Sequence, residues 1–445
     1  TSAIAGVMIG TTHFTNAVVE RRRLEPTAAV RLGLPATAAL PPMVDWPHDL
    51  AEVLGRHTYL CHGGHEFDGR EISAFDPDEI KKVAADIAAK EITAIAVSSV
   101  FSPVNTKMEE DAAAILEAEV PGASVTRSSE IGRIGLLERE NAAILNACLR
   151  ALAKETVAAF RRAIADMGIS APLYLTQNDG TLMSADFAEL YPVLTFASGP
   201  TNSMRGAAFL SGLKDAMVVD IGGTTSDVGA LTHGFPREAS VAVDIGGVRT
   251  NFRMPDVYSF GLGGGSHVAA DPLKIGPRSV GYRLTREALV FGGDQLTTTD
   301  IAVAAGVAEI GDKSKVAQLD KELVAAAMDR IQEMTETAVD RMKTSAEPVP
   351  VIIVGGGSIL VAKKVAGASE MVKPNHFEAA NAVGAAIAQI SGEVDRVYSL
   401  ESMSRNEAVD AAKAEATAKA VEAGADPVTV QVVDVEDVPL TYLPG

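Results

Sequence analysis

The stretch from Val218 to Leu231 combines residue types that bind phosphate groups and divalent cations. An apolar run ends at Asp220, and two glycines, two threonines and a serine precede a second carboxylate, Asp227. Glycine lets the backbone adopt positive φ angles and lets a bulky ligand approach the peptide N–H groups, and consecutive N–H groups in such a turn form an anion-binding nest. A carboxylate at the end of a strand suits Mg²⁺. The alternative is a tight strand–strand turn that polar side chains cap.

Three further glycine-rich loops favour the first interpretation. Residues 261–266 spell GLGGGS, residues 291–294 spell FGGD, and residues 354–358 spell VGGGS. Two of these loops lie between a strand-like run and a possible helix. Neither a Walker A motif nor a GxGxxG fingerprint occurs, so the sequence predicts a nucleotide site with a different phosphate cradle.

The overall composition narrows the class of protein. A length of 445 residues predicts two or three domains, and the hydrophobic content of 47% with 22% charged residues is typical of a globular chain. The net charge of −19 argues against nucleic acid and anionic membranes as partners, because both require clustered cations. Two cysteines, no signal peptide and no long apolar stretch predict a cytoplasmic protein without a membrane segment.

Strand and helix signals alternate along the chain. Asp76 and Glu79 predict a helix start with a capping box, and residues 137–167 predict a long helix. Residues 404–424 predict an alanine-rich helix, and residues 427–435, PVTVQVVDV, predict the last strand. This alternation predicts α/β layers with buried strands, and the ends of such strands are where open α/β sheets bind ligands.

The segment CHGGHEFDGRE is a second dense cluster of chemical groups. His62, His65, Glu66 and Asp68 lie within seven positions, a spacing that suits a divalent metal such as Zn²⁺ or Mn²⁺. His13 could join them from elsewhere in the fold. A metal there would polarise a carbonyl group or deliver hydroxide. The alternative is a polar loop whose histidines bind backbone groups.

Other polar residues are weaker candidates. Asn178 and Asp179 end a predicted strand and could hydrogen-bond the N–H and C=O groups of a cyclic imide or ureide, or they form a plain turn. Arg205 could contact a phosphate or make a surface ion pair. Residues 138–140, Glu-Arg-Glu, are predicted to lie on a solvated helix face.

The glycine loops and several longer motifs resemble known families. VVDIGGTTSDVG is similar to the second phosphate loop of the actin, sugar-kinase and chaperone ATPase superfamily, VIIVGGGSIL to its adenosine loop, and ANAVGAA to a neighbouring helix. The closer resemblance is to the A subunit of the hydantoinase/oxoprolinase family. It rests on LLERENAAILNA, LTQNDGTLMS, FASGPTNSMRGA, GLGGGS and TTTDIAVAAG, which follow the family's order and span nearly the whole chain.

This resemblance implies an α/β fold of two ribonuclease H-like domains around a nucleotide cleft. Residues 1–197 are expected to form an N-terminal α/β domain, residues 198–395 a nucleotide-binding α/β domain, and residues 396–445 a helix–strand extension. The family's first glycine loop, G-x-D-x-G-G-T, does not occur, so the first domain is expected to lack its N-terminal phosphate hairpin. Either that segment is missing from this chain or another strand pair replaces it, and the chain as given is expected to bind ATP weakly.

The implied activity is ATP-dependent ring opening of a cyclic amide of the hydantoin, oxoproline or lactam type. ATP would phosphorylate the amide oxygen, and the protein's task would be positioning and charge neutralisation. A hydantoinase B-type subunit is the implied partner, and an oligomer is expected. Two alternatives stay open: an ATP-dependent ketone carboxylase subunit, and a nucleotide-binding subunit without chemistry of its own.

The resemblance also implies roles for individual residues. Asp220 and Asp227 are the expected catalytic carboxylates, of which the first would hold Mg²⁺ and the second would orient metal-bound water. The residues expected to cradle the phosphates are Gly222, Gly223, Thr224 and Thr225. The residues expected to line the cleft or to face the adenosine are Gly263, Gly264, Gly265, Gly355, Gly356 and Gly357.

Overall fold

The computed structural model describes residues 4–239, 242–401 and 403–439, and its first half alternates strands and helices. In chain order these elements are β1 (Val7–Ile9), α1 (His13–Glu20), β2 (Thr27–Leu34), α2 (His48–Val53), β3 (His57–His62), α3 (Pro77–Ala89), β4 (Ala94–Ser99), α4 (Lys107–Glu119), β5 (Ser124–Arg127), α5 (Leu136–Asp166), β6 (Leu173–Thr176), β7 (Leu182–Ser184) and α6 (Ala185–Leu190).

The second half begins with a helix and contains most of the antiparallel strands. Its elements are α7 (Ser198–Ser211), β8 (Ala216–Ile221), β9 (Ser226–Thr232), β10 (Phe235–Pro236), β11 (Val243–Ile245), β12 (Val248–Thr250), β13 (Val257–Phe260), β14 (Ser266–Ala270), β15 (Leu273–Ser279), α8 (Leu284–Glu287), α9 (Thr298–Ala304), α10 (Lys321–Met342), β16 (Val349–Val354), β17 (Ala368–Val372), α11 (Ala380–Ile387) and α12 (Arg405–Glu422).

The strands of the first half form two sheets. One is a parallel sheet in the order β3-β2-β4-β5, and the other has the order β1-β6-β7. β1 runs parallel to β6, with Val7 opposite Leu173, whereas β7 is antiparallel to β6. Side chains of α3 and α4 cover one face of the four-stranded sheet, and those of α5 cover the other. α5 confirms the long helix predicted for residues 137–167.

The second half is built on one mixed sheet in the order β10-β9-β8-β16-β17, and β13 pairs with β9 beside it. β8 is central, because it is antiparallel to β9 and parallel to β16. Its register places Asp220 opposite Asp227 on β9 and opposite Val354 on β16. Apolar side chains of α10 pack on one face of this sheet and those of α7 on the other.

α7 and α11 cross with their backbones in contact. A methyl group built on Gly206 would overlap the carbonyl oxygen of Ala380, and a methyl group built on Gly384 would overlap that of Asn202. Glycine has no side chain, so it is the residue that permits this approach at both positions. The close crossing therefore sets the position of α11 relative to α7, which packs over β8.

Helix caps follow the sequence signals with one exception. α3 begins after Asp76, whose side chain accepts hydrogen bonds from backbone N–H groups of the first turn. α12 begins with a full capping box made by Ser404 and Glu407. The box predicted for α3 is incomplete, because the Glu79 carboxylate accepts instead from the backbone N–H of His62 at 2.8 Å. A tertiary contact has therefore replaced the local one.

The prediction of a solvated face at residues 138–140 is wrong at two positions. Arg139 and Glu140 are buried between α5 and the four-stranded sheet. Glu140 forms an ion pair with Arg31, which is also buried, and Arg139 donates to the carbonyl oxygen of Ser99 at 2.6 Å. Buried charges persist only when they are paired and hydrogen-bonded. The partners come from distant strands, so a local charge pattern does not reveal them.

The segment at residues 427–435, predicted as the last strand, is not a strand. It pairs with no other strand within the described ranges, and Val428 and Val433 are 92% and 88% exposed. Alternating valines favour a strand only where a neighbouring strand supplies hydrogen bonds. The C-terminal end of α12 contacts β7, where the N–H of Ser184 donates to the carbonyl oxygen of Ala423 at 2.7 Å.

The chain is mixed α/β, as the alternation of elements predicts. Ile245, Val248 and Phe252, from the second half, join the core around α5. The domain boundary near residue 197 therefore stays a prediction. Among the described helices, none combines the length and the apolar composition that crossing a membrane requires.

Candidate functional site

The turn after β8 lies against the glycine loop at residues 263–265. The N–H of Gly264 donates to the carbonyl oxygen of Gly222 at 3.0 Å, and the N–H of Gly265 donates to that of Gly223 at 2.7 Å. A methyl group on Gly263 would lie 2.5 Å from the carbonyl carbon of Gly223. Only glycine fits at this position, so the two loops are held backbone to backbone.

The loop after β16 meets the same turn from the other side. Gly355 has a φ of 86°, and a methyl group there would overlap Oδ1 of Asp220. A methyl group on Gly357 would lie 2.6 Å from the carbonyl oxygen of Gly222. The structure thus brings together the residues at 222–225, 263–265 and 355–357, which are called the glycine cluster below. Their predicted contacts with a nucleotide stay predictions.

A run of threonines holds one side of the glycine cluster in place. The Thr298 hydroxyl donates to the carbonyl oxygen of Gly263, and the Thr299 hydroxyl donates to that of Gly264, both from buried positions at the start of α9. Asp300 closes a capping box with Thr297. The sequence contains this TTTD segment as a family motif, but its spacing alone does not indicate which loop the hydroxyls bind.

The tip of the turn after β8 is open. Gly223, Thr224 and Thr225 are exposed, and no atom would meet a methyl group on Gly223 within 4 Å. The side chain that borders the tip is Ser279, whose hydroxyl donates to the carbonyl oxygen of Gly223 at 3.2 Å. An open turn with hydroxyl groups beside a tight glycine packing leaves space for an anionic group.

Two carboxylates face each other beside the turn. Asp220 and Asp227 are cross-strand partners, so their side chains lie on the same face of the sheet. Burial raises the pKa of Asp220, and a hydrogen bond from Ser203 opposes that shift. Burial raises the pKa of Asp227 to about 6, where the Ser259 hydroxyl lowers it and the Asp220 charge raises it further. Neither shift has a contribution from a cationic side chain of the described residues.

This arrangement fits a divalent cation that carries other ligands with it. Two half-buried carboxylates without a cationic partner are hard oxygen donors and repel each other. Within the described residues, no group of three or more His, Cys, Asp or Glu residues could hold a metal ion. Mg²⁺ commonly binds through one or two carboxylates, with water and phosphate oxygens completing its shell, and the open turn next to Asp220 leaves space for these.

The raised pKa of Asp227 predicts a pH dependence of stability. The folded-state pKa lies above the ordinary value of 3.8, so the native state binds more protons than the unfolded state between pH 3.8 and about 6. We therefore expect the contribution of Asp227 to the free energy of unfolding to fall as the pH rises through this window. Asp227→Asn should remove this contribution, so that the variant loses less stability than the wild type between pH 4.5 and 7 in urea titrations. Asp410→Asn, on the exposed face of α12, should keep it.

The histidine loop does not form the predicted second metal site. His62 points to Glu79, with its Nδ1 3.2 Å from the carboxylate, and Asp68 pairs with Arg70 at 2.6 Å. His65 is 2% exposed and its backbone N–H donates to another strand end. The interpretation as a polar loop fits these contacts better. His62 and Asp68 thus have charged partners, the buried Nδ1 of His65 has no hydrogen-bond partner, and the described residues contain no group of three or more His, Cys, Asp or Glu that could hold a metal ion.

His13 does not join that loop. Its Nδ1 lies 3.1 Å from the Thr11 hydroxyl, and its ring meets Phe160 edge to face at 6.3 Å between ring centroids. Both neighbours belong to the region around β1 and α5. The spacing of the histidines in the sequence therefore did not correctly predict that His13 would lie near the histidine loop.

The Asn178 side chain is buried and hydrogen-bonds to the backbone. It is 2% exposed, its Nδ2 donates to the carbonyl oxygen of Val193 at 3.1 Å, and its Oδ1 accepts from the N–H of Ala197 at 2.9 Å. Asp179 accepts from the backbone N–H of Thr181 at 2.9 Å. These contacts favour the turn interpretation over the predicted substrate role.

Arg205 is also occupied elsewhere. Its guanidinium lies 3.9 Å from the centre of the Phe235 ring and donates to the carbonyl oxygen of Gly234 at 2.8 Å. Of the two interpretations of this residue, phosphate contact or surface ion pair, neither describes these contacts. A cation–π contact with a main-chain hydrogen bond stabilises the junction of α7 and β10.

Comparison with known families agrees with the motifs gathered in the glycine cluster. A family model described as Hydantoinase/oxoprolinase matches residues 139–342, and a model of the Hydantoinase/oxoprolinase N-terminal region matches residues 1–120. The chain belongs to the hydantoinase/oxoprolinase family. Two of the three loops of the glycine cluster lie inside the first match.

Curated relatives from this family include subunits of two kinds of enzyme. Caprolactamase subunit alpha of Pseudomonas jessenii is 27% identical over 262 residues, which are 57% of this chain and 38% of that protein. Acetophenone carboxylase gamma subunit of Aromatoleum aromaticum is 27% identical over 253 residues, which are 54% of this chain and 34% of that protein. The chain spans less than half the length of either relative.

A solved structure shares the fold of this hydantoinase/oxoprolinase chain. The crystal structure of ATP-dependent caprolactamase from Pseudomonas jessenii has a TM-score of 0.73 with 19% sequence identity, and the match covers 93% of this chain and 67% of that chain. At that identity the likeness concerns the mixed α/β fold, and it extends across both halves of the chain.

Proposed function

We propose that the glycine cluster binds ATP with Mg²⁺. The observation that carries the proposal is the contact of three glycine loops beside the paired carboxylates Asp220 and Asp227. Peptide N–H groups and threonine hydroxyls at residues 222–225 would bind the phosphates, and residues 355–357 would face the adenosine. Asp220 would hold the metal, with Asp227 orienting its water. In this arrangement two ribonuclease H-like domains, residues 1–197 and 198–395, would enclose the nucleotide.

The reaction we propose is ATP-dependent ring opening of a cyclic amide. ATP would supply the phosphoryl group that activates the amide oxygen. An unstrained amide resists water, so the protein's contribution is to align the two substrates and to neutralise charge at the phosphates. A relative named caprolactamase supports the substrate class. The relatives are named as subunits, so we also propose that this chain acts with a hydantoinase B-type partner in a larger oligomer.

The decisive experiment measures phosphate release by the chain in complex with its partner subunit. A panel of hydantoins, oxoproline and lactams is supplied with ATP and Mg²⁺, and product opening is followed in parallel. We expect one ring class to stimulate phosphate release and to open in equal amount. ATP turnover that no cyclic amide stimulates, or ring opening without ATP, contradicts the proposal.

A second candidate function has the same ATP-dependent activation step but acts on a different class of compound. The acetophenone carboxylase subunit is as similar to this chain as the caprolactamase subunit is, at 27% identity each. In this version the activated compound is a ketone and the second reactant is bicarbonate. Product formation that requires labelled bicarbonate identifies this reaction, whereas a cyclic amidohydrolase incorporates no label.

A further inference from the structure

A cavity of about 290 Å³ lies at the open edge of β5, which is the last strand of the four-stranded parallel sheet. Its walls come from α4, β5, α5 and the C-terminal end of α6. All of these elements belong to the first half of the chain, whereas the glycine cluster belongs to the second. Ligand pockets commonly measure about 300–1,000 Å³, so this cavity suits a small molecule and not a nucleotide.

Two opposite charges line the cavity without pairing with each other. Glu117 lies on α4 and is exposed, and Arg150 lies on α5 and is partly buried. Among the described residues, neither side chain forms an ion pair with any other group. A carboxylate and a guanidinium that share one cavity but do not reach each other leave room for a molecule between them.

The other charged side chains of the cavity are already engaged. Arg127 forms an ion pair with Glu130, and the Thr106 hydroxyl donates to the Glu110 carboxylate at 2.6 Å. The charges that remain available therefore come from two helices on opposite faces of the sheet. A ligand that satisfies both must carry a cationic group and an anionic group at separate positions.

Hydrogen bonds hold the walls of the cavity in place. Asn146, one turn before Arg150, is fully buried, and its Nδ2 donates to the carbonyl oxygen of Leu190 at 2.8 Å and to the Thr126 hydroxyl at 3.2 Å. Nη1 of Arg150 donates to the carbonyl oxygen of Val125 at 2.7 Å. This contact orients the guanidinium and leaves other N–H groups for a ligand. A strand added at this edge would compete for the same carbonyl oxygen, so a small molecule fits better than a partner strand.

We propose that this cavity binds an amino acid with a free ammonium group and a free carboxylate. The ammonium pairs with Glu117 and the carboxylate with Arg150, whose planar guanidinium matches the geometry of a carboxylate. Hydrolysis of a lactam adds water across the C–N bond and leaves an amine and a carboxylate on one molecule. The reaction proposed above is therefore one source of such a ligand, and free amino acids are the other. The binding itself requires neither ATP nor turnover.

The test is isothermal titration calorimetry of the full chain without ATP. The probes are 6-aminohexanoate and glutamate, which form when a seven-membered lactam and oxoproline open, and alanine and valine, which are not such products. We expect at least one probe to bind, and its N-acetyl and methyl ester derivatives to bind about tenfold more weakly, because each cap removes a charge-assisted contact. Preference for the first two probes identifies ring-opened products as the source, and preference for the last two identifies free amino acids.

Two variants assign the ends of the ligand to the two charges. Glu117→Gln should weaken binding about tenfold and should remove the difference between the free amine and its N-acetyl derivative. Arg150→Gln should do the same for the carboxylate and its methyl ester. A purely structural role of either residue would not produce this selectivity. Glu117 is exposed, so its variant is expected to fold even if Arg150→Gln does not.

The matched controls are Glu119→Gln on α4 and Arg162→Gln on α5, which change the same charges at exposed positions outside this cavity. Both should bind the ligand as the wild type does. The inference is overturned if none of the four amino acids binds at about 10 mM, if capped derivatives bind as tightly as free amino acids, or if the controls lose binding equally. Ligand binding by a chain whose ATP turnover no cyclic amide stimulates would contradict the proposed function alone.

Discussion

Asp220→Ala is expected to lower ATP-dependent turnover by at least about a hundredfold in the complex with the partner subunit. The loss follows from removing the carboxylate that would hold the metal against the phosphates, and removal of one preorganised charged or polar group commonly costs two to three orders of magnitude. The measurement is kcat for phosphate release at saturating substrate. Fold is checked by urea unfolding, because removing a half-buried carboxylate with a raised pKa is not expected to destabilise the native state.

Asp215→Ala is the control for this prediction. Asp215 lies just before β8 and is exposed, where it accepts from the backbone N–H of His233 at 3.0 Å. The substitution changes the same net charge on the same strand connection, away from the glycine cluster. Wild-type turnover in Asp220→Ala would remove the metal assignment, and an equal loss in Asp215→Ala would show that the effect is not local.

Gly206→Ala and Gly384→Ala are expected to be strongly destabilising, because among the described glycines their added methyl groups would come closest to facing backbone atoms. Each methyl group would overlap a backbone carbonyl oxygen of the facing helix, and backbone cannot move aside as a flexible side chain does. Overpacking of this kind costs about 1–3 kcal/mol. The free energy of unfolding from urea titrations measures the effect.

Phe209→Ala provides the comparison on the same helix. The Phe209 side chain is 63% exposed, and alanine has a higher helix propensity than phenylalanine. We expect this variant to be as stable as the wild type or slightly more stable. Unchanged stability in both Gly206→Ala and Gly384→Ala would contradict this prediction, because it would mean that the helices separate without cost.

Local chemistry explains which features the sequence alone could predict. The turn after Asp220, the glycines that follow β8, β13 and β16, and the N-caps at Asp76 and Ser404 depend on neighbouring residues and occur where predicted, whereas Gly292 and Gly293 follow a short 3₁₀ helix and not a strand. The contact of the loops at 222–225 and 355–357 also follows from topology, because β8 and β16 are adjacent parallel strands whose ends meet at one edge.

Local sequence patterns could not predict the features that depend on residues far apart in the sequence. The histidine loop is dense in metal-ligating residues, yet the His62 side chain pairs with Glu79 from α3. Residues 427–435 have strand-forming composition but no neighbouring strand. Arg139 has the charge of a surface residue, and only the arrangement of α5 against β4 shows why it is buried.

The motifs that form the crossing of α7 and α11 are visible in the sequence, but the sequence does not show that they contact each other. FASGPTNSMRGA and ANAVGAA are separated by about 180 positions, and no spacing rule relates Gly206 to Gly384. A pair of glycines within two otherwise ordinary helices, Gly206 and Gly384, is the available signal, because glycine inside a helix costs stability unless close packing requires it. That signal suggests a helix crossing but does not identify the partner helix.

Consecutive residues of α7 connect the two halves of the molecule to one another. The Asn202 side chain donates to the Thr176 hydroxyl at 3.0 Å, at the end of β6, while Ser203 reaches Asp220, at the end of β8. One turn earlier, the Ser198 hydroxyl donates to the carbonyl oxygen of Thr11 at 3.2 Å. Because α7 is hydrogen-bonded to both halves, a rotation of one half relative to the other would move this helix. Such a movement would also shift Ser203 and therefore change the surroundings of the Asp220 carboxylate.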